Sequence, residues 1–411
     1  MNAADTGYML ICAALVMLMT PGLALFYGGM VRSKNVLGTI MQNFILLGVV
    51  SVQWALFGYS LAFGPDVWHI IGNLDWVGLV GVGFEPFKAY SATIPHQTFM
   101  IYQAMFAIIT PALITGAWAE RMKFSTFLVF MVLWTTLVYD PVAHWVWGDG
   151  GWLKDLGALD FAGGTVVHIN AGIAALAAAL VMGPRKGYGG YGNGTEAFIP
   201  HNLPMTVLGA GLLWFGWFGF NAGSALAAGT LASSAFTATH MATAAAVLSW
   251  TGVEWLIRGK PTTLGAASGA VAGLVAITPA AGYVGPMSAI IIGILAGGIC
   301  YLAVLAKVKL GYDDSLDVVG VHCVGGIVGA LATGLFATKL VNPAGGDGLF
   351  FGNPGQLGIQ ALAVLTTLVF SFVVSSILLK ILDATMGLRV SPEGEMAGLD
   401  LTEHQETGYS L

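Results

Sequence analysis

Charge is what this chain has least of. Only 9% of its 411 residues are Asp, Glu, Lys or Arg, while 56% are hydrophobic. Soluble domains carry about 25% charged residues, so this composition excludes an ordinary water-exposed globule. Cysteine is scarce too. Cys12, Cys300 and Cys323 stand singly in apolar runs, with no CxxC pair, which excludes a disulfide framework and a cysteine zinc site. There is no HExxH, and no serine–histidine arrangement for facing helices, so an intramembrane hydrolase lacks its residues. No basic stretch precedes the first apolar run, Gly7 to Val31. That run is long enough to span a bilayer and reads as a retained helix rather than a signal peptide. No cofactor, metal or nucleic-acid partner is expected.

What is present is a series of apolar runs of about 20 residues, the length a membrane-spanning helix needs. They predict an all-α polytopic membrane protein with eleven helices, at about 7–31, 37–63, 96–119, 124–147, 163–183, 203–224, 235–258, 264–282, 287–306, 318–338 and 357–386. The last is longer than a bilayer requires and should tilt or protrude. The 58 glycines suit helices that pack through small residues. Pro111 should kink the third helix.

Basic residues give the orientation. Of the 15 lysines and arginines, only Lys88, Lys154 and Lys339 fall on one side of the alternating spans. The rest, from Arg32 and Lys34 to Lys380 and Arg389, fall on the other. By the positive-inside rule the N-terminus is outside and the C-terminus inside. The outer segment from about Gly64 to Pro95 carries Trp68, Trp76 and Phe84 as interface anchors. The inner loop 184–202 is glycine-rich and reads as flexible. The polar tail, 387–411, is open to disorder by composition.

Two histidines break the apolar pattern. His322 stands 154 positions after His168. Each follows a valine, and each is followed by Gly-Ile four and five residues on, Gly172-Ile173 and Gly326-Ile327. An odd number of spans separates them, so the matching segments run in opposite directions. That is the mark of an inverted repeat, spans one to five (about 7–183) against six to ten (about 203–338), with an extra eleventh helix (about 357–386). The histidines should then meet at mid-membrane. Intramembrane ionisable residues are functional by default. Two histidines without a third ligand make a weak metal site; helix packing remains open for either alone.

Other residues carry a weaker signal. Trp147 ends the fourth span as either a belt tryptophan or a cation–π face. Asp160 is either a helix cap or a charge near a site, and a buried carboxylate needs partners. Phe106 and Phe220 read as core by pattern, and Ser224 as a helix-packing serine.

Several stretches now resemble the ammonium transporter family (Amt/Mep/Rh), nearly end to end. They are Pro21-Gly22-Leu23-Ala24-Leu25-Phe26-Tyr27-Gly28-Gly29, Ala143-His144-Trp145-Val146-Trp147-Gly148, and Gly157-Ala158-Leu159-Asp160-Phe161-Ala162-Gly163-Gly164. Trp217-Phe218-Gly219-Phe220-Asn221-Ala222-Gly223-Ser224, Gly320-Val321-His322 and Gly387-Leu388-Arg389-Val390 follow in order. Trp147 and the WFGFNAGS run are similar to the Amt/Mep branch rather than the Rh branch. Ala238-Thr239-His240-Met241 departs from the family's Asn-Thr pair, which puts local packing in doubt.

The resemblance implies a membrane domain, 1–386, and a cytosolic regulatory tail, 387–411, in the cell membrane. It implies a homotrimer with one pore per subunit, and ammonium as substrate with methylammonium as analogue. Trp147, Phe106, Ser224 and Asp160 would form the outer recruiting site. Phe106 and Phe220 would be the gate, and His168 and His322 a neutral pair lining a hydrophobic pore. A PII-type signalling protein would be the cytosolic partner. An ammonium sensor on the same fold and a Rh-like gas channel are the alternatives. The short stretch after the last span disfavours a fused output module.

Overall fold

A computed structural model describes residues 1–188 and 198–409. Residues 189–197 of the glycine-rich loop 184–202 lie outside the described residues. The helices follow the apolar runs. Helix α1 is Ala3–Met30, opened by the Asn2 side chain, which accepts the Ala4 and Asp5 amides. Helix α2 strings Val36–Phe44, Leu46–Gln53, a π-turn Trp54–Gly58 and Tyr59–Phe63. Helix α3, His96–Ile114, runs through Pro111 and tightens into a 3₁₀ turn at Thr115–Trp118. Helix α4 joins Phe124–Trp134, a π-turn Thr135–Tyr139 and Asp140–Trp147. Helix α5 starts as a π-turn, Gly164–Ile169, and continues through Asn170–Met182.

The second half is α6 (Leu203–Gly223), α7 (Thr230–Arg258), α8 (Thr263–Ile277) and α9 (Pro286–Leu310). Helix α10 again opens as a π-turn, Val319–Cys323, before Val324–Phe336. Helix α11, Pro354–Met386, is the longest of these at 33 residues. Among the described residues ten helices are long and apolar enough to cross a membrane, and α8 is a shorter apolar one. The protein is an all-α polytopic membrane protein. The predicted eighth span reached to 282, but the α-helix ends at Ile277. Pro279 has no amide to continue it, and buried turns follow.

Helices α1 and α6 pack antiparallel along their length. Gly22 meets Leu212 and Leu213, and Gly216 and Gly219 meet Met19 and Leu15. Small residues let the two backbones approach, which is how helices associate where lipid is as apolar as leucine. At one end of the bundle a hairpin of β1 (Asp66–Val67) and β2 (Ile71–Gly72) covers the helix ends. At the opposite end lies the tail. Composition left it open to disorder, but its described residues form two short helices, α12 (Pro392–Ala397) and α13 (Leu399–His404).

The tail is docked through charge and backbone. Asp400 accepts the Gly38 amide at 2.8 Å near the start of α2, and Glu403 accepts the Phe124 amide at 2.8 Å. Carboxylates favour such helix N-termini. Arg389 donates to Glu395 at 2.6 Å. Beneath it Arg185 reaches Asp313 at 2.9 Å and Glu120 at 3.5 Å, and Arg32 reaches Glu120 at 2.8 Å. Burial raises the Asp313 carboxyl, but the hydrogen bond from Arg185 and the charges of Arg185 and Arg121 more than offset this and hold it below the usual carboxylate range.

Candidate functional site

The site lies along the bundle axis between the hairpin end and the tail end. The two π-turns bring its histidines together. His168 Nδ1 and His322 Nδ1 are 3.3 Å apart, with the rings tilted by 24°. Both are buried, at 1% and 2% exposure. A π-turn widens a helix by one residue, and such turns recur at functional sites.

The packing that makes this approach possible is reciprocal. A Cβ added at Gly172 would strike the backbone of Cys323, and one added at Gly326 would crowd Ile169 and the Gly164 carbonyl. Each glycine lies four residues after its histidine, and each meets the residue just after the other histidine.

Hydrogen accounting constrains the pair. Two Nδ1 atoms facing each other share one hydrogen, so one ring donates and the other accepts. When both rings are neutral, the donor ring has a bare Nε2 and the acceptor ring carries its hydrogen on Nε2. The pair therefore offers one acceptor and one donor at its far ends. His168 Nε2 meets no hydrogen-bond partner among the described residues. Trp217 stacks on His168 at 5.3 Å and fixes its plane.

Toward the hairpin end, Phe106 and Phe220 lie against each other with ring centroids 4.2 Å apart. Trp147 meets Phe106 edge-on at 5.8 Å. Beyond them opens a cavity of ≈ 400 Å³ whose walls include Phe106, Trp147, Ser224, Phe63 and Lys154. Ser224 donates its hydroxyl hydrogen to the Phe220 carbonyl at 2.9 Å, so its lone pairs are free to accept. Tyr102 lies 3.2 Å from the same hydroxyl. Below the phenylalanines a narrow cavity of ≈ 10 Å³ is lined by Phe220, Val167, Leu213 and both histidines. His322 also lines the next cavity, ≈ 30 Å³, with Tyr27, Ser268 and Asp317 toward the tail end. A cavity needs about 10–15 Å³ to hold one water, so each of these two cavities, which meet at His322, has room for only one or two small molecules.

Asp160 is not in the wall of these cavities. Its Oδ1 accepts the Gly163 and Gly164 amides at 2.8 and 2.6 Å. Its Oδ2 accepts the Thr165 amide at 2.8 Å, the Val166 amide at 3.2 Å and the Thr165 hydroxyl. Gly163, at φ 116°, adopts the left-handed turn that curls the chain over the carboxylate. The Asp160 carbonyl accepts the Trp147 indole N–H at 2.8 Å. The carboxylate thus caps α5 while the backbone of the same residue holds Trp147.

Six of the seven predicted residues therefore line these cavities, and Asp160 sits behind them as the cap of α5 and the holder of Trp147. Sequence reasoning missed three neighbours. Tyr102 is an aromatic inside an apolar run and gave no signal; Trp217 enters the sequence reading only as the start of the WFGFNAGS run, with no place beside His168. Asp314 could have been found, because it stands 154 positions after Asp160 just as His322 follows His168. It accepts the Val319 amide at 2.7 Å at the head of α10, and its Oδ1 meets no partner among the described residues. Where Asp160 has the hydroxyl of Thr165, the matching position is Val319.

Comparison with known proteins places the chain. A family model, Ammonium Transporter Family, matches residues 7–409. An ammonium transporter of Bacillus subtilis is 56% identical, covering 100% of this chain and 99% of the relative. Ammonium transporter Amt1 of Archaeoglobus fulgidus is 48% identical, covering 100% of both. Among solved structures, Saccharomyces cerevisiae Mep2 superimposes with a TM-score of 0.89 at 38% identity, over 96% of this chain and 88% of that one. A structure described as a sensor Amt protein gives 0.90 at 31% identity, over 98% of each. With the match running the length of the chain, in sequence and in fold, the protein belongs to the ammonium transporter family.

Proposed function

We propose that the protein recruits ammonium at the hairpin end and passes ammonia between the histidines to the tail end. The proton goes to water in the ≈ 400 Å³ cavity or to the bare imidazole nitrogen of the histidine pair. The observation that carries this reading is the imidazole pair lining narrow, mostly apolar cavities behind two phenylalanines whose rings lie 4.2 Å apart. Ammonium and potassium have similar size and charge, so a site that merely attracted cations would pass both. Only ammonium can give up a proton. Neutral ammonia then crosses an apolar channel without the cost of burying a charge.

Each residue has a part. The Trp147 face attracts the cation, worth about 2 kcal/mol once water is excluded. Ser224 accepts a hydrogen bond from it. Phe106 and Phe220 exclude water and hydrated ions. Asp160 acts through the capped turn and the field of its charge rather than by contact. His168 and His322 supply the acceptor and donor that ammonia needs inside the channel, and their shared hydrogen is a route for the proton.

In this reading the hairpin end faces outside, and α1–α5 and α6–α10 form an inverted repeat around the histidines. The reciprocal contacts of Gly172 and Gly326 support the second point. The subunit works in a homotrimer, and a PII-type protein binds at the tail end. The test of transport is current on solid-supported membranes carrying reconstituted protein. Ammonium gives current, potassium gives none, and His168→Ala and Asp160→Ala both lower the ammonium response. Potassium current rivalling that of ammonium sinks the mechanism.

A further inference from the structure

His144 is fully buried one turn before Trp147, and both its ring nitrogens face acceptors. Nδ1 lies 3.0 Å from the Ala62 carbonyl, and Nε2 lies 2.9 Å from Asp66 Oδ1. A carbonyl can only accept, so Nδ1 carries a hydrogen. Asp66 is a partly exposed carboxyl, its side chain 22% accessible, and its other oxygen accepts the His69 amide, so at neutral pH it stands as the carboxylate. An ionised carboxylate also only accepts, so Nε2 carries a hydrogen as well. A ring with both hydrogens is an imidazolium. No neutral tautomer satisfies both partners.

The groups around the pair are consistent with this state. Asp66 Oδ2 accepts the His69 amide at 3.1 Å, and His69 Nδ1 donates to the Gly150 carbonyl at 2.6 Å. The His69 ring also lies 3.6 Å from Asp66 and 3.7 Å from Asp155. Lys154 sits 3.8 Å from Asp149 on the neighbouring turn. From α2 the ring is faced by the Ala62 carbonyl, which carries no titratable group.

The clamp joins three pieces. Ala62 ends α2 beside Phe63, Asp66 belongs to β1, and His144 belongs to α4. Phe63 and Trp147 both line the same ≈ 400 Å³ cavity. We propose that His144, held as an imidazolium between Asp66 and the Ala62 carbonyl, is a positioning residue that sets Trp147 and Phe63 for cation recruitment. Its charge is cancelled by Asp66, so an arriving cation meets a neutral pair. The argument rests on the reading of Trp147 given above, and the test separates the two.

The first measurement is the ¹⁵N spectrum of histidine-labelled full-length protein in lipid bilayers at neutral and mildly alkaline pH. The His144 signals are identified by their loss in His144→Asn. Two protonated ring nitrogens are expected, and one of them becomes bare in Asp66→Asn. A neutral His144 ring in the unmodified protein overturns the proposal. The second measurement is the ammonium KM from current. Asp66→Asn is expected to raise it about fivefold, the difference between a charge-assisted and a neutral hydrogen bond, with little change in maximal current. In a Trp147→Leu background the same change should add nothing. Additive effects overturn the positioning role. If Trp147→Leu alone leaves KM unaltered, the recruiting site itself is wrong, while the spectrum still reports the state of His144.

Discussion

Ser224 and Asp160 present opposite kinds of polar atom at the same site. The serine has given its hydrogen away and keeps lone pairs facing a cavity. The aspartate has received every donor within reach and keeps nothing for a ligand. Substitutions should separate them. Ser224→Ala removes one acceptor from an accessible cavity, so ammonium KM rises with no loss of thermal stability. Asp160→Ala leaves several buried amides unpaired, at about 1–3 kcal/mol for each group that cannot find water. The expected result is a lowered melting midpoint in detergent together with lost current. An Asp160→Ala protein as stable as the parent would mean that capping is not its main task. Asp160→Asn, which still accepts on one oxygen, should fall between the two.

At the scale of helices, the close approach of α5 and α10 is the sensitive point. Gly172→Ala places a methyl against the Cys323 backbone, and Gly326→Ala places one against Ile169. Overpacking of this kind costs about 1–3 kcal/mol. The histidines would then move apart, and ammonium current should fall in both variants while Gly48→Ala, which meets nothing, is silent. Equal current in all three would place the histidine contact elsewhere. These helices also mark what the sequence could disclose. Apolar run length gave the spans, because a bilayer demands about 20 such residues whatever their details. It missed the end of α8, since hydropathy reports burial and Thr278 to Gly282 is buried but not α-helical. It gave no warning of π-turns, which one inserted residue creates without altering composition. His168 and His322 were legible because a polar ring in an apolar run stands out. Trp217 and Tyr102 were not, because an aromatic in the same run does not. The tail's composition left order and disorder both open; Asp400 and Glu403 use its polarity to cap α2 and α4.

The whole molecule offers two further tests. The three native cysteines are buried, so single introduced cysteines report sidedness cleanly. Ala92 near the hairpin and Glu406 in the tail are both exposed. In sealed cells an impermeant thiol reagent should label Ala92→Cys and spare Glu406→Cys; the reverse pattern inverts the orientation. Acid should loosen the tail end. Asp313 has a depressed carboxyl in the folded chain, so its contribution is present above the ordinary value of about 4 and is lost as pH falls further. Proteolysis of the tail should therefore accelerate in strong acid. Asp313→Asn should show that acceleration already at neutral pH, because Arg185 and Arg121 lose their shared anion.

One last consequence belongs to the shared hydrogen of His168 and His322. A wire of two rings has a direction. Once it has handed a proton toward the tail end, the donor and acceptor rings have exchanged roles, and the pair is left facing the wrong way for the next delivery. Trp217 stacked on His168 keeps that ring from simply turning over. The pair thus remembers its last delivery, and if protons cross by this route, each turnover must include a recovery step whose rate caps the current however much ammonium is supplied.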